Sequence, residues 1–521
     1  MFNRFLSIRT IVVFCICVPL AILLGYLSAA PLGWTTLFVF GSIAAIFATP
    51  FLLRWHTLIL IASWNMSAVV FLLPGRPPLW LITAAISLLL SLVSYTLDKR
   101  KEYLSVPSIV RPLLFLGAVV LLTAELRGGI KLGSFGGDSS GGKRYIYLLV
   151  AILAYFALTW NPIAKKQAYT YVSAFFLGGM TSAIGNLLPL VNPAFYVIFA
   201  IFPPEQSGLE VMGLVQQGTV LRFSGLTFAS TAIFCALLAR YGISGIFDIS
   251  SPLKFLPFQS KGGFEVNKPW RLILFLFAIV LSLFGGYRLV IVTFALIFLV
   301  QFYYEGLFQT RMFPAFILAG ILLAAAILPM ADKLPMAMQR AISFLPVEVD
   351  PIARSSATSS TEWRLTIWKL VLPQVPDYLF LGKGYALNSH EIEILGDQVS
   401  RGQGDSMEMA WMAGDYHNGP LSVIMPLGIW GVIGFAWFLV AATKALARNY
   451  RFSDPALVNL NRFLLAIFVA RIVHFLFFFG SLYSDLVFFT GIIGLSVSLN
   501  GGVLNKRNQP ATVTESEPAT I

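Results

Sequence analysis

Charged residues are scarce in this chain. They make up 12% of its 521 residues, whereas hydrophobic residues make up 57%, and the mean hydropathy is +0.80. A water-soluble fold must cover its surface with polar side chains, and this composition does not supply enough of them. The proportions exclude an ordinary soluble protein and predict a polytopic membrane protein, in which apolar runs of about 20 residues cross the bilayer as helices.

Cysteine and histidine are also rare. The three cysteines, Cys15, Cys17 and Cys235, all lie inside apolar runs. Cys15 and Cys17 are two residues apart and therefore point to different sides of a helix, so neither a disulfide nor a metal site is expected there. With only four histidines in the chain, a histidine-rich metal cluster is not expected either. We predict a protein without a bound metal or other cofactor.

The formal net charge of +12 would suggest a nucleic-acid partner in a soluble protein. In this chain, however, the basic residues lie mostly in short loops between apolar runs. Loops of this kind are typical of membrane proteins, in which Lys and Arg accumulate on the cytoplasmic side. We therefore expect membrane lipids around the chain and no nucleic acid.

Fourteen segments have the length and hydropathy of a membrane span. The first follows Arg4 and Arg9 as a signal peptide would, but it is too long for the apolar core of one, and we interpret it as an uncleaved helix. The predicted spans are 11–30, 34–53, 57–73, 79–97, 110–125, 145–160, 168–188, 224–240, 270–285, 288–304, 312–331, 420–441, 461–479 and 481–499.

The basic loops orient these spans. With the count above, eight separate basic segments fall on one side, which predicts that this side and both termini are cytoplasmic. The long segment from Asp332 to His417 then lies outside, and it contains 11 acidic against 7 basic residues. The basic positions are Arg4, Arg9, Arg54, Lys99 to Lys101, Lys165, Lys166, Arg240, Lys254, Lys261, Lys268, Arg311, Lys444, Arg448, Arg451, Lys506 and Arg507.

Two segments do not follow this pattern. The glycine-rich loop 127–144 should lie outside, yet it carries Arg127, Lys131, Lys143 and Arg144. Either it is a flexible outer loop, or its cations and glycines meet an anion. Residues 189–221 are apolar but short, and we interpret them as a re-entrant or interfacial element. The predicted parts are 1–221 (N-terminal helices), 222–331 (central helices), 332–419 (outer loop), 420–499 (C-terminal helices) and 500–521 (a disordered cytoplasmic tail).

Four polar residues from separate parts of the chain fall at the outer side of the predicted topology: Arg222, Arg288, Arg364 and His417. Arginine presents a planar fork of donors that matches phosphate oxygens, and histidine accepts a proton near neutral pH. Together they favour an anion site with a base. Each arginine alone is also compatible with a headgroup anchor, and His417 with a histidine bonded at a helix start.

A second polar group lies inside the predicted bilayer. Arg471 and His474 are three residues apart in one late span, and Asp485 in the next span is a possible partner. We favour a buried ion pair that fixes helix packing, with a proton relay as the alternative.

The outer loop carries a recognisable order of motifs. An apolar pattern over 362–371 predicts a helix containing Trp363-Arg364-Leu365-Thr366-Ile367-Trp368, and 403–413 predicts a second helix. Leu381-Gly382-Lys383-Gly384, then His417-Asn418-Gly419-Pro420-Leu421 and glycines 428, 431 and 434 follow. With Arg222-Phe223-Ser224-Gly225-Leu226 and with Arg288 after Gly285-Gly286-Tyr287, this order resembles the O-antigen ligase and O-antigen polymerase superfamily of bacterial envelope glycosyltransferases.

The resemblance covers about 222–434 and implies an all-α, GT-C-like bundle of 12–14 transmembrane helices with one large periplasmic loop, in the bacterial inner membrane. It implies metal-independent transfer of a glycan from an undecaprenyl-diphosphate donor to a lipid or saccharide acceptor on the periplasmic face. Arg222 and Arg288 would hold the diphosphate, and His417 would activate the acceptor hydroxyl. Arg364, Trp368, Lys383 and Asn418 would position the loop and the substrate.

Three alternatives remain open on the sequence. Ligase and polymerase share the donor and differ in the acceptor, which the motifs do not encode. A transporter for an anionic lipid would use intramembrane Arg471 and His474, but the chain lacks the paired, broken helices of an internal repeat. Lys383 departs from the family pattern, because an apolar residue is expected between the two glycines; it either adds a phosphate contact or is exposed.

Overall fold

The computed structural model describes residues 34–73, 75–97, 103–128, 142–204, 220–253, 256–259, 265–387, 411 and 414–505, and five residues before Trp34. The chain divides into two compact units, residues 1–56 and residues 57–521. Most of the glycine-rich loop, the predicted helix 403–413 apart from Trp411, and the tail beyond residue 505 lie outside the described residues.

Helices dominate the described chain, and a single two-stranded ribbon pairs Phe258–Gln259 with Glu265–Val266. The α-helices are α1 (Trp34–Ser63), α2 (Leu79–Leu97), α3 (Pro107–Arg127), α4 (Gly142–Thr159), α5 (Ala168–Leu177), α6 (Ser182–Val191), α7 (Ser224–Ile246), α8 (Lys268–Leu283), α9 (Arg288–Tyr304), α10 (Met312–Ile327), α11 (Met336–Ile342), α12 (Pro351–Val371), α13 (Val375–Tyr378), α14 (Gly419–Arg451), α15 (Val458–Phe477) and α16 (Leu482–Asn500). The 3₁₀ helices are Lys165–Gln167, Gly178–Thr181, Pro193–Ala200, Leu307–Gln309, Leu328–Lys333, Leu372–Gln374 and Pro455–Leu457.

Among the described residues, nine helical segments are long and apolar enough to cross a bilayer, and two more apolar helices are shorter. The chain is therefore an all-α, multi-pass membrane protein. The nine are Leu79–Thr96, Pro107–Arg127, Gly142–Thr159, Lys165–Val191, Ser224–Ile246, Met312–Lys333, Gly419–Arg451, Pro455–Phe477 and Leu482–Asn500, and the shorter two are Phe47–Ser63 and Arg288–Tyr304.

One prediction about the spans is wrong. We predicted separate spans at 34–53 and 57–73, but the structure has one 30-residue helix, α1, and residues 64–73 form turns and irregular structure. The residues between the two predicted spans, Arg54 to His56, include no glycine or proline that would end a helix. One crossing before α2 is thereby lost, and the cytoplasmic placement of the N-terminus no longer follows from the count.

The helix ends within residues 57–521 meet in two groups. At one end, Lys165 lies 2.5 Å from Asp454, and the Tyr450 hydroxyl donates to the Tyr304 carbonyl at 2.9 Å. At the other end, the Arg340 guanidinium donates to the Gly286 carbonyl. The first group is the end with the basic loops, and the second is the end with the candidate site residues.

We expect the site end to face the outside and the C-terminal tail to face the cytoplasm. Ser359 is exposed on α12 at the site end. A cysteine at this position (Ser359→Cys) should react with an impermeant maleimide in intact cells, whereas Ser516→Cys should react only after lysis. The reverse pattern would show that the orientation inferred from the basic loops is inverted.

The packed core is centred on α16, of which 83% of the spanning window is buried. Glycines allow its neighbours to approach: a side chain at Gly491 would overlap the Trp64 indole, and one at Gly494 would lie 2.9 Å from Leu158 Cδ1. The Trp64 Nε1–H donates to the Val487 carbonyl at 3.0 Å. These contacts make α16 a fixed support for the helices that carry the site.

Candidate active site

The site is assembled around α12, the amphipathic helix of the long loop. Asp350 caps its first turn by accepting from the Ile352 N–H at 2.7 Å, and Pro351 occupies the first helical position. These start signals extend the helix eleven residues before the predicted start at Glu362. The buried face of α12 carries Ile367 and Val371, which pack with Tyr416, Leu421 and Met425 at the start of α14.

The segment 381–384 forms a turn that docks onto a break in α14. Pro426 lacks an N–H, and Gly428 has φ +64°, so the helical hydrogen bonding is interrupted there. The turn uses the freed groups: the N–H of Lys383 donates to the Met425 carbonyl at 2.6 Å, and that of Gly384 donates to the Pro426 carbonyl at 3.1 Å. This glycine motif therefore has a structural role in joining the loop to the membrane helix.

Gly382 is the most constrained residue of this junction. Its φ is +68°, and a side chain there would overlap the carbonyl of Pro426. We expect Gly382→Ala to lower the melting temperature of the detergent-purified protein by several degrees and to reduce its yield, because backbone atoms cannot move aside. Gly320→Ala is the matched control, since a side chain at Gly320 meets nothing within 4 Å. Equal melting temperatures for the two variants would contradict the proposed docking.

Arg222 lies against the loop that joins α8 to α9. Gly286 in this loop has φ +68°, and a side chain on it would come within 3.0 Å of Arg222 Cγ. The guanidinium lies over the Tyr287 ring, 5.6 Å from its centroid. The residues Gly285-Gly286-Tyr287 thus bring the start of α9 next to the start of α7, and Arg288 follows directly.

Arg288 and Arg340 connect the loop between α8 and α9 to the helix α12. Arg288 Nη2 donates to the carbonyl of Ala357 at 2.6 Å and to Thr361 Oγ1 at 2.8 Å. Arg340, on α11, is buried; it donates to the Gly286 carbonyl and, through Nε, to Ser356 Oγ at 3.1 Å. Arg340 was not among the predicted site residues, because it follows a predicted span in a segment where nothing in the sequence marks it as buried.

The cluster of Arg222, Arg288, Arg340 and Arg364 (the arginine cluster) has a strong positive charge. Burial, followed by the charges of Arg222 and Arg288, lowers the pKa of Arg340 to about 10. Burial and then the charge of Arg288 also lower the pKa of Arg364. Both guanidinium groups remain protonated at neutral pH, so the site holds like charges at a cost in free energy.

Within the part of the chain that the structure describes, none of these four arginines has a carboxylate within ion-pair distance. Charged side chains packed into a fold are normally paired. Four guanidinium groups without an acidic partner among the described residues have the donors and the charge to hold an anion with several oxygens, such as a diphosphate.

His417 lies at the end of the loop, in contact with two aromatic rings. Its ring centroid is 5.0 Å from that of Trp363 on α12 and 5.0 Å from that of Phe479, after α15. The Phe479 ring also lies 5.7 Å from the Arg364 guanidinium. This aromatic contact joins the histidine to the arginine cluster, so the structure brings all four candidates, Arg222, Arg288, Arg364 and His417, into one region.

The backbone of His417 is unusual. Its φ is +49°, one of two positive values among the described non-glycine residues. Such a conformation is uncommon and strained for residues with a side chain, and residues that adopt it cluster at functional sites. Its Nδ1 is buried without a hydrogen-bond partner among the described residues. The ring is held in place by packing and has an unused nitrogen, as a proton acceptor requires.

Burial lowers the pKa of His417 from its ordinary value of 6.5. The nearby charge of Arg364 lowers it further, whereas that of Asp415 acts in the opposite direction and raises it. The imidazole is therefore neutral at pH 7. A neutral imidazole is the form that can accept a proton.

The remaining predicted residues have different surroundings. Asn418 caps α14, accepting from the Leu421 N–H at 3.0 Å, and Trp368 Nε1 donates to the Tyr416 carbonyl at 2.9 Å. Both flank His417 and fix the turn that carries it. Lys383 Nζ lies 4.9 Å from the Trp411 ring centroid, so its described side-chain contact is aromatic.

Arg144 was assigned to the glycine-rich loop 127–144, but it lies in the first turn of α4, and its side chain reaches the segment just before His417. Its guanidinium lies 4.9 Å from the Tyr483 ring centroid and 5.8 Å from that of Tyr385. A side chain on Gly414 would come within 3.1 Å of Arg144 Nη1, which is buried and has no hydrogen-bond partner among the described residues. Its unexpected outer charge was the only signal of this placement in the sequence.

The intramembrane group forms the ion pair that we favoured. Arg471 Nε and Nη2 both lie 2.6 Å from Asp485 Oδ1, and Asp485 Oδ2 accepts from the Ser481 N–H at 2.8 Å. Asp485 is completely buried. The pair links α15 to the first turn of α16, as an ion pair that fixes helix packing would.

The site thus combines an arginine cluster without carboxylate partners among the described residues, a strained histidine and the helix α12, which is fixed to α14. The turn that carries His417 (the histidine turn) lies directly before α14, a membrane-spanning helix. It is therefore at the boundary between the loop and the membrane segments. Comparisons of the chain with known protein families and with curated proteins find no match.

Proposed function

We propose that the chain is a metal-independent glycosyltransferase that moves a glycan from an undecaprenyl-diphosphate carrier to an acceptor hydroxyl at the periplasmic face of the bacterial inner membrane. The observation that carries the proposal is the arginine cluster beside a half-buried, neutral His417. A diphosphate supplies the several anionic oxygens that the cluster lacks among its described neighbours. A carrier anchored in the bilayer would also hold its sugar near the start of α14.

The chemistry assigns a role to each group. The acceptor oxygen attacks the anomeric carbon while its proton passes to the neutral imidazole of His417. The bond between that carbon and the diphosphate oxygen breaks, and its electron pair remains on the diphosphate. The arginines then stabilise the charge that develops on the leaving group, and they do so without reorganisation because the fold has already positioned them.

Arg222 and Arg288 are the proposed diphosphate ligands. Arg340 is a positioning residue, because its described hydrogen bonds hold the 285–288 loop and α12 together. Arg364 is the member of the cluster nearest to the His417 imidazole through the shared Phe479 ring, where it would contact the donor and keep the imidazole neutral. Trp368 and Asn418 position the histidine turn.

A reconstituted assay would test the function. The purified full chain, in proteoliposomes with a lipid-linked glycan and a lipid A core acceptor, should form the glycosylated acceptor and release undecaprenyl diphosphate in equal amounts, with no added metal. His417→Asn serves as the control for background transfer. No product from the natural donor with any hydroxyl acceptor would contradict the proposal.

The ligase and polymerase forms of the reaction use the same donor and differ only in the acceptor. Loss of the protein in cells separates them. Full-length polymer accumulating on the carrier indicates a ligase, because chain growth is complete before transfer. Single repeat units on the carrier indicate a polymerase.

A further inference from the structure

A cavity of about 310 Å³ lies at the end of the molecule opposite the arginine cluster. It opens between the first turns of α3 and the last turns of α14, two helices that pack along their length. The Phe115 and Trp437 rings, 6.1 Å apart, fill the space between these helices. The cavity is lined by Ser108, Arg111, Trp437, Val440, Ala441, Lys444, Ala445, Arg448 and Val503.

Three cations converge on this cavity. Lys444 and Arg448 are four residues apart on α14 and share a helix face, and Arg111 approaches from α3. All three are exposed, and none has a carboxylate within ion-pair distance among the described residues.

Neighbouring cations at the same end of the molecule are different. Lys165 pairs with Asp454 at 2.5 Å, and Lys268 pairs with Asp248 at 2.6 Å. The three cavity cations have no such acidic partner among the described residues and converge on one cavity, which leaves them available to a shared anion.

The surface beside the cavity is apolar and points away from the protein. Trp430, Ile433, Trp437 and Val440 recur at helical spacing along α14 and are 49%, 45%, 45% and 52% exposed, respectively. This stripe runs from the cavity toward the middle of a membrane-spanning helix. A ligand with an anionic head and long apolar tails would contact both parts at once, whereas a soluble phosphate would leave the stripe uncovered.

We propose that this cavity binds the headgroup of an anionic glycerophospholipid, with its acyl chains lying along the exposed stripe of α14. Basic pockets between transmembrane helices on the cytoplasmic side are suited to such headgroups. The bound lipid would hold α3 against α14, the helix whose other end carries the histidine turn.

Lipid binding to the purified full chain tests this proposal. The probes are dioleoylphosphatidylglycerol and dioleoylphosphatidylcholine, and the measurement is the lipid retained by the detergent-purified protein in native mass spectrometry. The variant Lys444→Ala/Arg448→Ala should bind phosphatidylglycerol roughly 25-fold more weakly, at about fivefold for each cation, with phosphatidylcholine binding unchanged.

The control variant, Lys166→Ala/Arg451→Ala, removes two exposed cations at the same end that do not line the cavity. It should retain phosphatidylglycerol like the unmodified protein. Equal losses in both variants, or no loss in either, would overturn the proposal. Displacement of the lipid by millimolar inorganic phosphate would overturn the lipid assignment in favour of a soluble phosphate ligand. Both variants should have the same melting temperature as the unmodified protein, which excludes a loss of lipid caused by unfolding.

Discussion

Replacement of His417 is expected to abolish most glycan transfer without unfolding the protein. Loss of a general base costs roughly 10²–10⁴-fold in rate, and we expect His417→Ala to fall in this range. His417→Asn is the sharper variant, because asparagine tolerates the positive φ of +49° and removes only the imidazole. The measurement is the rate of transfer in proteoliposomes, together with donor binding, which should stay close to that of the unmodified protein.

The pH dependence follows from the surroundings of the imidazole. Only the neutral form accepts a proton, and burial lowers the pKa of His417 from 6.5, so activity should persist below pH 6.5 and fall as the pH drops through the lowered pKa. Arg364→Gln removes a charge that lowers this pKa. The fall in activity at low pH should therefore move to higher pH. Asp415→Asn should move it to lower pH, since Asp415 raises the pKa.

Two outcomes would separate the base from its alternatives. Transfer at close to the normal rate by His417→Asn would leave catalysis to the arginines and to positioning. A large loss with Asp415→Asn, together with an active His417→Asn, would make Asp415 the base. A melting temperature for His417→Asn close to that of the unmodified protein would exclude a loss caused by unfolding.

Conservative replacement of the two diphosphate arginines should also be severe. Arg222→Lys and Arg288→Lys keep the charge but lose the planar, two-pronged contact with phosphate oxygens. Removing one preorganised donor from a developing anion typically costs roughly 10²–10³-fold in kcat, and we expect losses of this order. Unlike the histidine variants, they should also weaken donor binding, because the ground-state diphosphate makes the same contacts.

Arg240→Lys is the matched control for these substitutions. Arg240 is also near the end of a membrane helix and lies over an aromatic ring, 5.4 Å from the Tyr169 centroid, but at the opposite end of the molecule. It should retain normal transfer. Normal transfer by Arg222→Lys and Arg288→Lys as well, at equal protein levels, would reduce both arginines to anchors at the membrane boundary.

The class of the protein and the location of its candidate site were predictable from the sequence. Long apolar runs can be satisfied only as helices in a bilayer, so their number and spacing indicate a multi-pass fold without any tertiary information. Arg222, Arg288, Arg364 and His417 were identifiable because polar groups at a membrane boundary are costly and need a reason. The ion pair of Arg471 with Asp485 was predictable for the same reason.

Tertiary structure decided which cations act together. Arg340 looks like an ordinary loop residue until α11 packs beneath the 285–288 turn and buries it. Arg144 reaches the loop exit through contacts with Tyr385 and Tyr483, which are distant in sequence. The single helix α1, where two spans were predicted, likewise depends on continuous backbone hydrogen bonding that hydropathy does not measure.

Hydropathy and residue type determined by themselves that this chain crosses a membrane many times and carries arginines with a histidine on one side. Those properties follow from the transfer free energy of each segment, which is local in sequence. The strained turn at His417, the glycine junction with α14 and the assembly of the arginine cluster were decided only by the fold. They depend on distances between segments far apart in the chain, and side-chain packing sets those distances after the helices have formed.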